Sequence, residues 1–340
     1  MGTVFGEFED CTLSRGPKPR HHQLADRFLL WMIGKVRIIF LSVAWLLEIQ
    51  SAVAAYSLQV GNVLWTRSPG GYVCFTDSVY PNTVRFTITK LKPGQEDYAV
   101  AAGPSGTTGT YNRQLSSGTS RLSYQLYVDA SLRNTWKAPP MATASEVISG
   151  WAPGNAGQVI PLSFILFVPA GQIVEPGRYT DHVTISVYQA YNDPAPPVDT
   201  RTITITVVVL PGSALSIVPT GGTFSPNTRH RLDLGTLSTG KSLGCDVLVR
   251  KNTSCDVMFT SVNRGVLRMA DGSGDDFVPY TFVVNGNKIG LATPARITLS
   301  GGVTQSPDGV RVPVQVTVGD IENPAAGNYH DEVVVTLVVN

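Results

Sequence analysis

A phrase that occurs twice constrains this chain more than any other feature. Gly177-Arg-Tyr-Thr-Asp-His-Val-Thr-Ile-Ser-Val187 returns in outline as Gly327-Asn-Tyr-His-Asp-Glu-Val-Val-Val-Thr-Leu337. Both fit Gly-x-Tyr-x-Asp followed by apolar residues at alternate positions, the pattern of a strand with one buried face. The copies differ in what comes next. After the first, Ile203, Ile205, Val207 and Val209 face one way while threonines face the other, so a further strand is expected. After the second, only Val338, Val339 and Asn340 follow. The expectation is a pair of similar β domains, the later one short of a strand.

The repeat extends upstream. Leu122-Ser-Tyr124 parallels Val278-Pro-Tyr280 at a similar distance before the glycine. Strand candidates in the first half are Val84–Ile88, Leu122–Val128, Ile160–Phe167, Val183–Val187 and Thr202–Val209. In the second half they are Val247–Val249, Val257–Thr260, Tyr280–Val284, Val312–Val318 and Val333–Val339. Turn clusters such as Ala102-Gly-Pro-Ser-Gly106 separate them. Gly (33) and Pro (23) in 340 residues suit many short strands rather than helices. The expected fold class is all-β: two immunoglobulin-like antiparallel β-sandwiches in tandem, the C-terminal one lacking its last strand. Residues 56–211 form the first domain and 212–340 the second, joined at Pro211-Gly-Ser-Ala214.

Ahead of both lies a leader. Lys35 and Arg37 precede the apolar run Ile38–Leu47, and Ala52-Val-Ala54 supplies small residues for cleavage. That is a secretory signal over 32–55, too short in its apolar part for a membrane span. Met32 heads a signal of ordinary length, so residues 1–31 read as an over-called start or unusual leader. Removing 1–55 takes away six basic and five acidic residues and leaves 20 of each. A nearly neutral exported chain has no field to draw nucleic acid or an anionic membrane. Export makes the cysteines readable. Cys245 and Cys255 flank a polar turn, Lys251–Ser254, and are expected to form a disulfide, while Cys74 reads as a small buried apolar residue.

The chemistry-bearing patterns are sparse. No His or Cys spacing suits a metal, and no Gly-x-Ser-x-Gly elbow or phosphate loop occurs. His182, His230 and His330 sit at surface or strand-start positions, and Asp275-Asp276 reads as a solvated turn. Neither a catalytic residue nor a cofactor is expected. Tyr179 with Asp181, and Tyr329 with Asp331, read as fold maintenance: tyrosine at a sandwich corner, aspartate bonding nearby backbone. One region is unusual. Trp136-Lys-Ala-Pro-Pro-Met141, Gly150-Trp-Ala-Pro153 and the Tyr188–Pro197 connection place aromatics, a methionine and prolines in segments that read as loops. Exposed aromatics on proline-stiffened loops make a binding surface at low entropic cost. Trp136, Met141, Trp151, Tyr191 and Pro194 are the candidate surface contacts. The competing reading folds both tryptophans back over the core.

Leu122-Ser-Tyr-Gln-Leu-Tyr127, Trp136 and Pro176-Gly-Arg-Tyr-Thr-Asp181 resemble the spore coat protein U domain, the subunit module of archaic chaperone–usher pili. Asn263-Arg-Gly-Val-Leu267, Pro279-Tyr280 and Ala326-Gly-Asn-Tyr-His-Asp331 resemble it in the second half. Two such domains in one exported chain are similar to the tip adhesin of these pili, at the cell surface, and imply no enzymatic activity. The resemblance implies a bacterial source, so the sequon Asn252-Thr-Ser254 carries no glycan. It also implies partners: a periplasmic pilus chaperone, an outer-membrane usher, a next pilin subunit donating a strand, and an abiotic or host surface. The donated strand would meet Val333, Val335, Leu337 and Val339. The rival from another class is a spore-coat or extracellular matrix protein without a dedicated ligand, which would carry polar loop tips. A secreted carbohydrate-binding or enzymatic β-sandwich would need a polar cleft that the sequence lacks.

Overall fold

The computed structural model describes residues 54–66, 70–76, 81–190, 196–226, 228–270 and 276–340. The leader up to residue 53, Tyr191, Pro194 and Asp275 lie outside the described residues. Up to residue 210 the strands are β1 (Tyr56–Gln59), β2 (Val63–Trp65), β3 (Asn82–Lys90), β4 (Glu96–Ala102), β5 (Gln114–Ser117) and β6 (Ser120–Ser123). They continue as β7 (Gln125–Tyr127), β8 (Ile148–Ala152), β9 (Val159–Phe167), β10 (Gly177–Tyr188) and β11 (Asp199–Val209). A short 3-10 turn, Ala144–Glu146, is the helical element among the described residues.

These strands make a sandwich because their alternation has a period of two and each sheet has one apolar face. One sheet runs β1-β3-β9-β7 and the other β2-β11-β10-β4-β8, with β5 and β6 joined to β10. Phe86, Ile88, Phe164 and Leu166 from the first meet Val183, Ile185, Ile203 and Ile205 from the second in one core. Pairing is antiparallel except where β2 runs parallel to β11. The alternate residues Ile203, Ile205, Val207 and Val209 of β11 all point into that core.

After residue 212 come β12 (Ser213–Pro219), β13 (Ser242–Lys251), β14 (Cys255–Ser261), β15 (Val266–Met269) and β16 (Phe277–Val284). They are followed by β17 (Asn287–Ile289), β18 (Ala295–Leu299), β19 (Val310–Val318), β20 (Tyr329–His330) and β21 (Val333–Val339). One sheet runs β12-β13-β19-β16-β15-β20 and the other β18-β14-β21. The plan repeats the first sandwich: β12, β13, β19 and β16 occupy the places of β1, β3, β9 and β7. In the second sheet, β18, β14 and β21 occupy those of β8, β4 and β10. Among the described strands β11 has no counterpart.

The segment between the sandwiches is pinned from both sides. The Leu210 amide donates to Tyr72 O (2.9 Å). Asn252, 1% exposed, donates through Nδ2 to Leu210 O (2.9 Å) and to Cys74 Sγ (3.3 Å), and accepts the Gly212 amide at Oδ1 (2.8 Å). A sequon asparagine whose amide is buried and spent on three backbone and thiol contacts offers nothing for a glycan to join.

The expected Cys245–Cys255 disulfide is corrected by the structure: both thiols are free and buried. Cys245 lies on β13 opposite Val314 of β19, whereas Cys255 opens β14 in the other sheet, opposite Leu299 and Val339. The chain reverses beyond Lys251, six residues after Cys245, which sets that cysteine about 20 Å down its strand from the corner. A disulfide needs Cα atoms within about 7 Å. Burial instead pushes the Cys245 thiol up to about 11.

Candidate functional site

The two copies of the repeated phrase build the same local bonds. Tyr179 Oη donates to Glu175 O (2.8 Å) and Tyr329 Oη to Ala325 O (2.7 Å), each reaching back to close a corner. Asp181 accepts Tyr124 Oη (2.6 Å) and the Thr107 amide (2.8 Å). Asp331 accepts Tyr280 Oη (2.6 Å) and the Asn263 amide (2.9 Å). Burial, then the neighbouring carboxylate, holds both the Tyr124 and Tyr280 phenols well above their usual range, so they remain donors at neutral pH. The glycines differ. Gly177 has φ +149°, which disfavours a side chain, while a Cβ on Gly327 would come within 3.1 Å of Met269.

A further duplicated element escaped sequence reasoning. Lys90 ends β3 and Lys251 ends β13, and both are buried. Lys90 Nζ donates to Gly94 O and to Ala152 O (2.6 Å), the latter closing β8. Lys251 Nζ donates to the carbonyls of Ser300 (3.0 Å), Gly301 (2.6 Å) and Gly302 (3.0 Å), just after β18. Burying an ammonium without a carboxylate requires such carbonyl partners. The signal was a lysine ending an alternating apolar run in each half, easily read as a solvated strand end.

What β10 and β21 do not share is a second neighbour. Residues Gly177–Val187 of β10 pair with Val209–Asp199 of β11 on one side, and β10 pairs with β4 on the other. β21 pairs along its length with β14, and no described strand covers its other edge. β12, the strand that could have closed that side, pairs with β13 in the opposite sheet. The burial follows. Val183, Ile185 and Val187 are fully buried, whereas Val333, Val335 and Leu337 are half-buried against their core. Val339 is 38% exposed. An unpaired edge beside half-covered apolar side chains is a place where another strand can add.

The candidate surface residues separate. Trp136 is corrected: it is 0% exposed. Its indole stands 4.8 Å from the Phe164 ring, stacks on Phe86 at 6.0 Å, and donates Nε1 to Val100 O (2.9 Å). The segment is a loop, as its prolines indicate, but the Trp136 amide bonds Leu126 O (2.8 Å) and folds the ring inward. Buried area and an indole partner outweigh any gain from display.

Trp151 (55% exposed) and Met141 (68% exposed) face outward. Trp151 on β8 stands opposite Asp97 of β4, and Ser149 opposite Ala99. Ala99 and Ala101 form, with Val147, a small cluster on the outer side of β4, covered by Ala138, Ala142 and Tyr188. The Met141 loop therefore lies on the same sheet face as Trp151. It is braced by Lys137 Nζ to Glu146 Oε1 (2.6 Å) and by the Thr143 amide to Glu146 Oε2 (2.9 Å). Tyr191 and Pro194 lie outside the described residues.

Residues 81–186, which lie within the first sandwich, match the sequence model of the Spore Coat Protein U domain. No curated protein matches the chain. Among solved structures, a chain of the CsuC–CsuE chaperone–tip adhesion subunit complex from archaic chaperone-usher Csu pili of Acinetobacter baumannii is 13% identical, with a TM-score of 0.47. The match covers 83% of this chain and 99% of that one. The CupB6 tip adhesin of Pseudomonas aeruginosa is 9% identical with a TM-score of 0.33, over 83% of this chain and 94% of that one. CfaE, the adhesive subunit of CFA/I fimbria of enterotoxigenic Escherichia coli, is 13% identical with a TM-score of 0.29, over 85% and 79%.

Proposed function

We propose that this chain is the tip adhesin of an archaic chaperone–usher pilus, exported through the periplasm and displayed at the cell surface. In this reading residues 56–211 contact an abiotic or host surface and residues 212–340 join the fibre. The observation that carries it is the open edge of β21. A sandwich with half-buried valines beside unpaired backbone is completed by a strand from outside. The occupant is first a periplasmic chaperone and then the N-terminal extension of the next pilin, after passage through the usher. The match to the Spore Coat Protein U domain within the first sandwich fits the same pathway. Surface contact is assigned to Met141, Trp151, Tyr191 and Pro194, with Trp136 withdrawn from the set. Met141 exposed on a braced loop and Trp151 exposed on the adjoining strand do not suit the polar tips expected of a coat or matrix protein. The reading assigns no reaction to the chain.

The test has separate arms. The full mature chain should aggregate when produced alone and become soluble with a pilus chaperone or a fused donor strand. A soluble monomer with no added strand would defeat the fibre-joining role. Replacing Met141 and Trp151 by serine should lower attachment severalfold at equal surface display. Undiminished attachment would remove the surface role and leave the strand-accepting role standing.

A further inference from the structure

The first sandwich has an uncovered edge of its own. β9 pairs with β3 from Asn82 to Thr89, but on the other side β1 pairs only with Thr87–Lys90. β1 stops there because the chain crosses at Val60–Asn62 to the opposite sheet, where β2 joins β11. From Asn82 to Phe86 no described strand covers that side of β3. The crossing leaves a groove of about 730 Å³, with Leu58, Val60, Phe86 and Leu162 among its walls and Arg85 and Arg201 at its lip.

Both guanidiniums are open to an incoming anion. Arg85 is exposed and has no hydrogen bond or ion pair among the described residues. Arg201 is held in place by Nε to Leu58 O (3.5 Å) and stands 3.9 Å from Asp199. Asp199, whose oxygens also accept the Leu58 and Thr200 amides at 2.8 Å each, pairs with Arg201 from one side only, and the Arg201 side chain is 57% exposed and can take a second anion. The aromatic ring in the groove, Phe86, is 5% exposed, which leaves no ring face for a sugar to stack on. Unpaired strand edge, apolar walls and a pair of guanidiniums suit an extended peptide with acidic side chains.

We propose that this groove binds an extended acidic peptide, which continues the line of β1 along Asn82–Phe86 and sets carboxylates against Arg85 and Arg201. The site is on the first sandwich and stands apart from the strand-accepting edge of β21, so it does not depend on the pilus reading. The probe is a fluorescent peptide alternating valine and glutamate, titrated into the purified full mature chain. Its controls are the lysine-for-glutamate peptide, a backbone N-methylated version and a glucuronate oligomer. Binding should weaken at least tenfold in the R85S/R201S double variant, and less in R85S, with an unchanged melting temperature in both. The lysine and N-methylated peptides should not bind. Failure of the glutamate peptide to bind, or binding indifferent to the double substitution, would overturn the site. Equal binding of the N-methylated peptide, or binding of the glucuronate oligomer instead, would overturn strand addition.

Discussion

The phrase that β10 carries in one strand is divided in its second copy between β20 and β21; both copies close the same tyrosine corner and anchor the same aspartate, yet the valines of β10 are core and those of β21 are rim. Val183 and Val333 are equivalent in sequence and identical in side chain, but the first is fully buried and the second only half so. The difference lies outside both strands, in the presence of β11 beside one and no described strand beside the other. Burial is thus a property of the neighbourhood: a strand with both edges paired shields the side chains between the sheets, and one with a free edge cannot. The lesson is that an internal repeat can preserve every local bond and still divide its copies between a finished domain and one that can take a strand.

The most forceful way to break this comparison is to finish the second sandwich. A strand fused so that it can pair with β21 should complete the burial of Val333, Val335 and Leu337. At about 1 kcal/mol for each remaining half side chain, that contributes about 3 kcal/mol before backbone pairing. The lower of two calorimetric transitions should then rise by on the order of 10 °C while the upper stays put. An unmoved pair of transitions would mean that the rim is already satisfied.

The matched valines sharpen the point. Val183→Ala should cost about 2 kcal/mol in chemical denaturation, the penalty for emptying a packed site. Val333→Ala should cost about half of that or less, and its cost should climb once the donor strand is fused. Equal losses in both sandwiches without a donor would show that β21 is as enclosed as β10.

A smaller contrast is carried by the corner hydroxyls. Tyr179→Phe removes a bond from a fully buried side chain and should lose about 1 kcal/mol. Tyr329→Phe acts on a half-buried ring and should lose less, because water can reach the freed carbonyl. Urea midpoints at constant m would report the order, and a larger loss at Tyr329 would reverse the assignment of rim and core. Smallest of all, Trp151→Ser should change stability by no more than about 0.5 kcal/mol, since the ring adds little to the core. A loss well above that in the same denaturation curves would make Trp151 structural and remove it from the contact surface.

Much of the architecture was legible because strands announce themselves by alternation. Val84–Ile88, Ile160–Phe167, Thr202–Val209 and Val312–Val318 all lie within strands, and the inward side of β11 is the one its isoleucines and valines marked. β4 was missed because Tyr98–Ala102 is buried on both faces, Ala99 and Ala101 on the outer one, so it shows no period. The run Leu122–Val128 is divided into β6 and β7, a break that its continuous alternation concealed.

The candidate sites were less legible. Trp136 and Trp151 sit in similar proline-flanked segments, and nothing local separates the ring that fills the core from the ring that faces out. The cysteine pair failed for a related reason. Spacing describes distance along the chain, whereas a disulfide depends on which sheet each strand joins and where the chain turns.

By itself the sequence determined the β class, the duplication and the inward face of the last strands, because these follow from side-chain period and from turn residues acting over a few positions. Only the tertiary structure decided that Lys90 and Lys251 are buried against carbonyls, that Asn252 pins the segment between the sandwiches, and that β12 pairs away from β21. Those outcomes depend on which strands become neighbours across long stretches of chain. Neighbourhood of that kind is settled by the packing of whole sheets.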